Sequence, residues 1–340
     1  MQGVIRADSM MRAVRYERYG PPDVLRVVEV PEPVAAAGEV CVRIEAASLN
    51  PVDFKVREGA LRFVPLCKSP PRTTGLDFAG VIVAVGGGNA SWRGGERVFG
   101  SLSPFGREGS CAQLCIVDAQ RVVAVPDPVS FEAAACLPVA AGEAVQALAD
   151  SAQLAAGQHV LIIGAAGGVG HFAVQYARHI GAQITGVCGS DNVAFVQGLG
   201  AHRVVDYRTT DVSALGANFD IVFDAASALD WRTSQHLLRR GGLYLSTGGS
   251  TSAAVLTGVG TLLAPMLGGT RARNVMLRSG AAAWRRLASL AAQGVLVPHI
   301  ARRIGLEAVA QAQADMARGH GRGKIVVLPQ GAADAQPTRS

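Results

Sequence analysis

In the first third of the chain, apolar residues crowd into short runs separated by glycine and proline. Residues 11–16, 25–30, 39–47, 80–85, 97–100 and 112–117 each read as a strand, with Gly20-Pro21-Pro22 and Gly86-Gly87-Gly88 as punctuation. Closely spaced strands with few helices predict a compact barrel-like domain. Near Ser130 the period changes. Residues 131–137 and 142–151 read as helical, and then strand and helix alternate: strand 160–163, helix 169–180, strand 183–187, helix 193–199, strands 204–205, 221–223 and 243–245, with helix 231–238 between the last two. That alternation predicts βαβ units around a parallel sheet, so the fold class is α/β. Beyond Thr270 follow a strand at 274–277, helices at 281–293 and 306–317, and a last strand at 324–328. Residues 1–9 and 330–340 read as loose tails.

The chain has 340 residues, a length that suits about two domains. At 49% hydrophobic and 17% charged residues it is not a disordered chain, and at 5% aromatics its core is aliphatic. The net charge of +6 raises the question of nucleic acid. The arginines are scattered, and the only lysines are Lys55, Lys68 and Lys324, so no basic patch forms and no nucleic-acid partner is expected. Residues 243–270 carry no charge, but Gly, Ser, Thr and Pro265 interrupt them, and no membrane span is expected. The six cysteines (41, 67, 111, 115, 136 and 188) form neither a CxxC pair nor a disulfide ladder. With no secretory pattern at the start, a reducing cytoplasm is the expected compartment.

The chemistry begins at Val160-Leu-Ile-Ile-Gly164-Ala-Ala-Gly167-Gly168-Val-Gly170. A buried strand runs into a glycine turn and a helix starts at once, with Ala165-x-Gly167-x-x-Gly170 in place of the usual GxGxxG. Ala166, Gly167, Gly168 and Val169 are expected to cradle a dinucleotide pyrophosphate at the helix N-terminus. The next strand ends at Gly189-Ser190-Asp191, without the carboxylate at the strand end that would grip an NAD ribose. A small turn there leaves room for a 2′-phosphate, which Ser190 would bond and Tyr207 would reach from the following strand. NADPH is therefore expected in preference to NADH, although Asp191 turned inward would argue the reverse. Zinc needs a cluster of Cys, His or acidic ligands. The β-rich region has no His, and Cys111 and Cys115 read as buried small side chains, so no metal is expected.

Several segments together resemble the zinc-free quinone oxidoreductase branch of the medium-chain dehydrogenase/reductase superfamily. They are Met11-Arg-Ala-Val-Arg-Tyr, Tyr19-Gly-Pro-Pro-Asp-Val-Leu, Ala47-Ser-Leu-Asn-Pro-Val-Asp-Phe-Lys55, Gly75-Leu-Asp-Phe-Ala-Gly80, Gly95-Glu-Arg-Val-Phe99, the glycine loop, Leu199-Gly-Ala201 and Gly323-Lys-Ile-Val326. Enone reductases and polyketide enoyl reductases share this scaffold. Zinc-dependent relatives have a Cys ligand near Asn50–Asp53 and Gly-His-Glu in place of Gly75-Leu76-Asp77; both are changed here.

The resemblance implies a GroES-like β-barrel catalytic domain (10–135), a Rossmann domain (136–270) and a C-terminal segment (271–329) returning to the first. It places the nicotinamide near Asn50, Ala225 and Thr247, and it implies a homodimer. Without a Lewis acid, the acceptor must already be activated, which points to a small hydrophobic quinone or α,β-unsaturated carbonyl. Asn50 is then a candidate donor to the substrate carbonyl, Lys55 a source of proton or charge, and Asp53 a catalytic candidate or a loop-shaping acceptor. Asp77 is expected to make a structural hydrogen bond, and Lys324 to cover the cofactor edge or a dimer surface. Residues 251–270 would roof the pocket. Two alternatives stay open: a tailoring reductase acting on polyketide-type or thioester-linked intermediates, and a low-turnover NADPH-binding protein.

Overall fold

The computed structural model describes residues 9–88, 91–247, 269–319 and 321–331. The expected tails, apart from their innermost residues, and the expected pocket roof, apart from Gly269 and Thr270, lie outside them. The first region contains β1 (Met10–Tyr16), β2 (Arg26–Pro31), β3 (Glu39–Ser48), α1 (Pro51–Arg57), β4 (Arg72–Thr73), β5 (Asp77–Val85), β6 (Arg97–Ser101), β7 (Leu114–Asp118) and β8 (Val122–Ala124). A helical run follows as α2 (Phe131–Ala135) and α3 (Gly142–Val145). Next come β9 (His159–Ile163), α4 (Gly170–Ile180), β10 (Gln183–Cys188), α5 (Val193–Gly198), β11 (Arg203–Asp206), β12 (Phe219–Asp224), α6 (Trp231–Ser234), β13 (Leu238–Ser246) and β14 (Arg271–Asn274). The chain closes with α7 (Ala281–Ala292), β15 (Ile300–Ile304), α8 (Val309–Ala317) and β16 (Lys324–Val327).

Six strands form a parallel sheet in the order β11-β10-β9-β12-β13-β14, the doubly wound arrangement of dinucleotide-binding domains. A seven-stranded sheet, β15-β16-β3-β5-β6-β8 with β7 on β3, and a three-stranded sheet, β2-β1-β4, build the β-rich domain. The largest apolar core draws on both domains: Ala46, Ala79 and Phe99 pack in one cluster with Ile162, Phe172, Leu245 and Trp284. Continuous apolar burial of this kind fixes one domain against the other.

The helical run bridging the domains differs from the two helices read from the pattern. It is nearly continuous, with wide five-residue turns at Leu137–Ala141 and Gln146–Ser151. Pro138 has no N–H to give the helical ladder. Val139 turns its N–H out of the ladder instead, onto Asp77 Oδ2 at 3.1 Å. Such widened turns tend to occur where a helix serves a site.

Three further corrections concern short elements. The strand expected at 274–277 lies earlier, as β14, where Ala272 alone is buried in Arg-Ala-Arg-Asn and the apolar pattern is hidden. Residues 271–274 thus stay with the parallel sheet through pairing to β13, and the chain returns to the first domain later than residue 271. Helix α1 was not anticipated, although Asn50, Pro51 and Asp53 form a capping box with proline at the first turn. Nor was β15, whose exposed arginines obscure its pairing with β16.

Candidate active site

The glycine loop starts where β9 leaves the parallel sheet. Gly164 takes a left-handed φ of 75°, and Gly167 N donates back to Gly164 O at 2.9 Å. A Cβ on Gly170 would run into the Gly164 carbonyl oxygen, so only glycine lets α4 start this close to the strand. His171 N and Ala173 N bond back to Gly167 O and Val169 O, so the turn ahead of α4, at the positive end of the helix dipole, makes the anion cradle. Ala166, Gly167, Gly168 and Val169 occupy this turn. His171 locks it: Nδ1–H donates to Gly167 O at 2.8 Å, while Nε2 accepts from His299 N at 3.3 Å. Burial pushes the His171 pKa down to about 4, so the ring is neutral. Gly323 N donates to Ala166 O at 2.8 Å, tying the loop to the segment that enters β16. The cradle fits a dinucleotide.

Gly189, Ser190 and Tyr207 meet at the ends of β10 and β11. A Cβ on Gly189 would sit 3.3 Å from the Tyr207 hydroxyl. Ser190 departs from its expected role: its hydroxyl donates to Asp206 Oδ2 at 2.5 Å. That bond, with a second from Arg208 N, holds Asp206 below the usual carboxylate range. Asp191 turns toward Arg208 Nη1 at 3.1 Å, not into the turn. Arg322 reaches the same turn from the C-terminal segment, donating to Asn192 Oδ1 at 2.8 Å and Asp191 O at 2.7 Å. Two guanidiniums therefore flank the place expected for a 2′-phosphate. Sequence reasoning missed both; adjacency to Tyr207 was the available signal for Arg208, and Arg322 is more than a hundred residues away.

At the ends of β12 and β13, Ala225 and Thr247 are neighbours, with Thr247 Oγ1 donating to Ala225 O at 3.5 Å. Buried Asp224 shapes this loop by accepting from Ala226 N, Ala228 N and Leu229 N at 2.8 to 3.1 Å.

Opposite lies a buried polar chain. Asn50 is 2% exposed. Its Nδ2 donates to Asp77 Oδ2 at 2.9 Å and to Ser48 O at 3.4 Å, and its Oδ1 accepts from Lys324 Nζ at 2.5 Å. The expected role of Asn50 as donor to a substrate carbonyl is therefore corrected, because both amide hydrogens are engaged inside the protein. Asp53 Oδ2 accepts from Asn50 N at 2.7 Å, so it shapes the loop. Burial, helped by the Asp77 charge, pushes its pKa up to about 7. Asp77 makes the structural bonds expected of it; burial raises its pKa to about 6 against the pull of Lys324. Of the two places expected for Lys324, the outer surface is corrected: it is buried, its stem beside Gly168 of the cofactor loop, with a second bond to Leu49 O at 2.7 Å. Lys55, on α1, is exposed. Glu143, on α3, joins this group unforeseen; burial and the Asp77 charge raise its pKa to about 7, against Lys324 and Lys55.

Among the described residues, no group of three or more His, Cys, Asp or Glu side chains is placed to hold a metal. The donor set here does not suit zinc: the Lys324 ammonium already sits on Asn50, beside Asp77.

Residues 36–127 match the alcohol dehydrogenase GroES-like domain, and residues 199–327 match the family described as zinc-binding dehydrogenase. A chloroplast envelope quinone oxidoreductase homolog from Arabidopsis thaliana is 33% identical over 340 residues, covering 95% of this chain and all of that protein. The NADPH-dependent alkenal/one oxidoreductase of Arabidopsis thaliana chloroplasts is 30% identical over 71% of this chain and 64% of its own. The solved structure of the quinone oxidoreductase from Coxiella burnetii superposes with a TM-score of 0.82 at 27% identity, covering 94% of this chain and 100% of that one.

Proposed function

The chain belongs to the quinone oxidoreductase branch of the medium-chain dehydrogenase/reductase superfamily, and from that premise we propose that it is an enzyme reducing quinones or α,β-unsaturated carbonyls with NADPH. The observation that carries this reading is the Gly164–Gly170 cradle set across from the Asn50–Asp77–Lys324 chain. Bound NADPH supplies the hydride. The loop backbone at Ala166–Val169 holds the pyrophosphate, with Gly189, Tyr207, Arg208 and Arg322 at the 2′-phosphate. Ala225 and Thr247 border the nicotinamide end, and the buried chain keeps the facing wall rigid. Lys324 supplies fixed positive charge where hydride addition builds negative charge. With that ammonium in place the enzyme works without zinc.

We further propose a homodimer joined through β14, an edge strand of the parallel sheet. The six cysteines are all unpaired, which suits a reducing compartment such as the cytoplasm. No helix among the described residues is long and apolar enough to cross a membrane.

The test is NADPH oxidation against a panel of quinones and enones, with NADH in parallel and zinc measured by elemental analysis. Turnover with either acceptor class, a higher kcat/KM for NADPH and no stoichiometric zinc are expected. Tight NADPH binding with no turnover on any acceptor would overturn the enzymatic reading, and light scattering that gives a monomer would overturn the dimer.

A further inference from the structure

One carboxyl at the domain junction has a place but no partner. Glu143 follows Val139 by four residues, so the two occupy one face of the helical run. Helical Cβ atoms tilt toward the N-terminus, which sets the Glu143 carboxyl back over the turn that carries Val139. Val139 is the residue whose N–H holds Asp77 Oδ2 at 3.1 Å. Glu143 therefore stands over the Asn50–Asp77–Lys324 chain, and it does so from the helix that links the two domains.

Its neighbours Gly142, Ala144 and Val145 are buried, while Glu143 keeps partial solvent contact. No described residue donates a hydrogen bond to its carboxyl. The charges facing it come from three other elements: Asp77 on β5, Lys324 on β16 and Lys55 on α1. A carboxyl kept for structure is hydrogen-bonded when enclosed, as Asp224 is by three backbone N–H groups. Glu143 has no such bond and keeps part of its side chain in contact with solvent.

We propose that Glu143 is the acid that completes reduction, by giving its proton to the carbonyl oxygen of the acceptor. This rests on the reading of the junction as a quinone and enone reductase site. When hydride from NADPH adds to the acceptor, an electron pair moves onto the carbonyl oxygen. The carboxyl O–H bond of Glu143 then breaks and an O–H bond forms on that oxygen, giving a hydroquinone from a quinone or an enol from an enone. The enol becomes the saturated carbonyl in water, and the Glu143 carboxylate recovers its proton through its solvent-reached side. Lys55, across the junction, supplies charge and not the proton. The arrangement suits acid catalysis near neutral pH, because burial and Asp77 raise the Glu143 pKa to about 7 and leave a working fraction protonated.

The substitutions are Glu143→Gln, which keeps size but cannot release a proton, and Glu143→Asp, which keeps the acid. On the NADPH-free protein, infrared difference spectra between wild type and E143Q should contain a protonated-carboxyl band that titrates near about pH 7. Its absence would overturn the proposal. In turnover, E143Q should lose about 100-fold in kcat with an enone, and less with an electron-poor quinone whose hydroquinone anion needs no acid. The E143D variant should recover part of the loss, and NADPH affinity should hold in both variants. Wild-type kcat in E143Q, or equal loss on both acceptors, would overturn the proposal while leaving the reductase reading intact. A wild-type enzyme that turns over neither acceptor would refute that reading, and the proposal with it.

Discussion

Lys324 is a positive charge that acts on Asp53, Asp77 and Glu143 together, lowering all three pKa values. Its ammonium makes bonds of 2.7 and 2.5 Å to Leu49 O and Asn50 Oδ1, at 3% exposure. Lys324→Met keeps the bulk of the stem and removes the charge. Hydrogen bonds involving a charged group contribute about 1.5–3 kcal/mol each, and stranding buried charges costs about 3–5 kcal/mol. Burying the ammonium itself costs several kcal/mol that the variant no longer meets, so a net loss of about 3 kcal/mol at pH 8 is expected. The loss should shrink to about 1 kcal/mol at pH 5.

The sign follows from burial. Asp53 and Asp77 have folded pKa values of about 7 and about 6, above the ordinary carboxylate value, as does Glu143 at about 7. Each contributes stability that is fully present below its unfolded pKa and is lost as pH rises through its folded pKa. Removing Lys324 moves all three higher, so the variant falls away from wild type as the carboxyls ionise. Urea unfolding of both proteins at pH 5, 6, 7 and 8 measures the gap. A gap that is constant with pH, or wider at the acid end, would refute the account of Lys324 as counter-charge to these carboxyls.

Three further outcomes are expected. Gly170→Ala should cost about 2–4 kcal/mol and abolish NADPH binding by calorimetry, because its Cβ meets the Gly164 carbonyl; wild-type affinity would contradict the cradle. Asp53→Asn keeps an acceptor for Asn50 N but removes the acid, so the fall in stability as pH rises toward about 7 should flatten by about 2 kcal/mol; equal pH slopes in thermal melts would count against it. Arg208→Ala should raise the KM for NADPH about 10-fold while that for NADH changes little, since one guanidinium at the 2′-phosphate end is removed; an unchanged ratio would remove Arg208 from cofactor selection.

The two-domain plan was legible because each part of it is local. A strand, a glycine turn and a helix occupy consecutive residues, and the period-2 and period-3.6 patterns on either side announce their sheets. The capping box at Asn50 was equally local and could have been read. What stayed hidden is whatever depends on a distant partner. Ser190 carries the expected hydroxyl in the expected turn, but Asp206 claims it from the next strand. Asn50 has the residue type of a substrate donor, yet an amide offers only two hydrogens, and Asp77 and Ser48 take both.

Lys324 shows most clearly why the site exceeds its motifs. In the sequence it is one lysine after a glycine near the end of the chain. In the fold, Gly323 N bonds the cofactor loop at Ala166 O, and the adjacent Lys324 side chain bonds Asn50 in the other domain. Leu49 N also pairs with Ile325 O at 3.0 Å, so the same segment is stitched into the first domain's sheet. Two consecutive residues thus set the distance between the anion cradle and the buried carboxyls. A strand added last to the sheet touches both, and this is a physical reason for the chain to return to its first domain after completing the second. On that geometry, a shift of β16 moves the cradle and the acid cluster together, and neither half of the site can be repositioned alone.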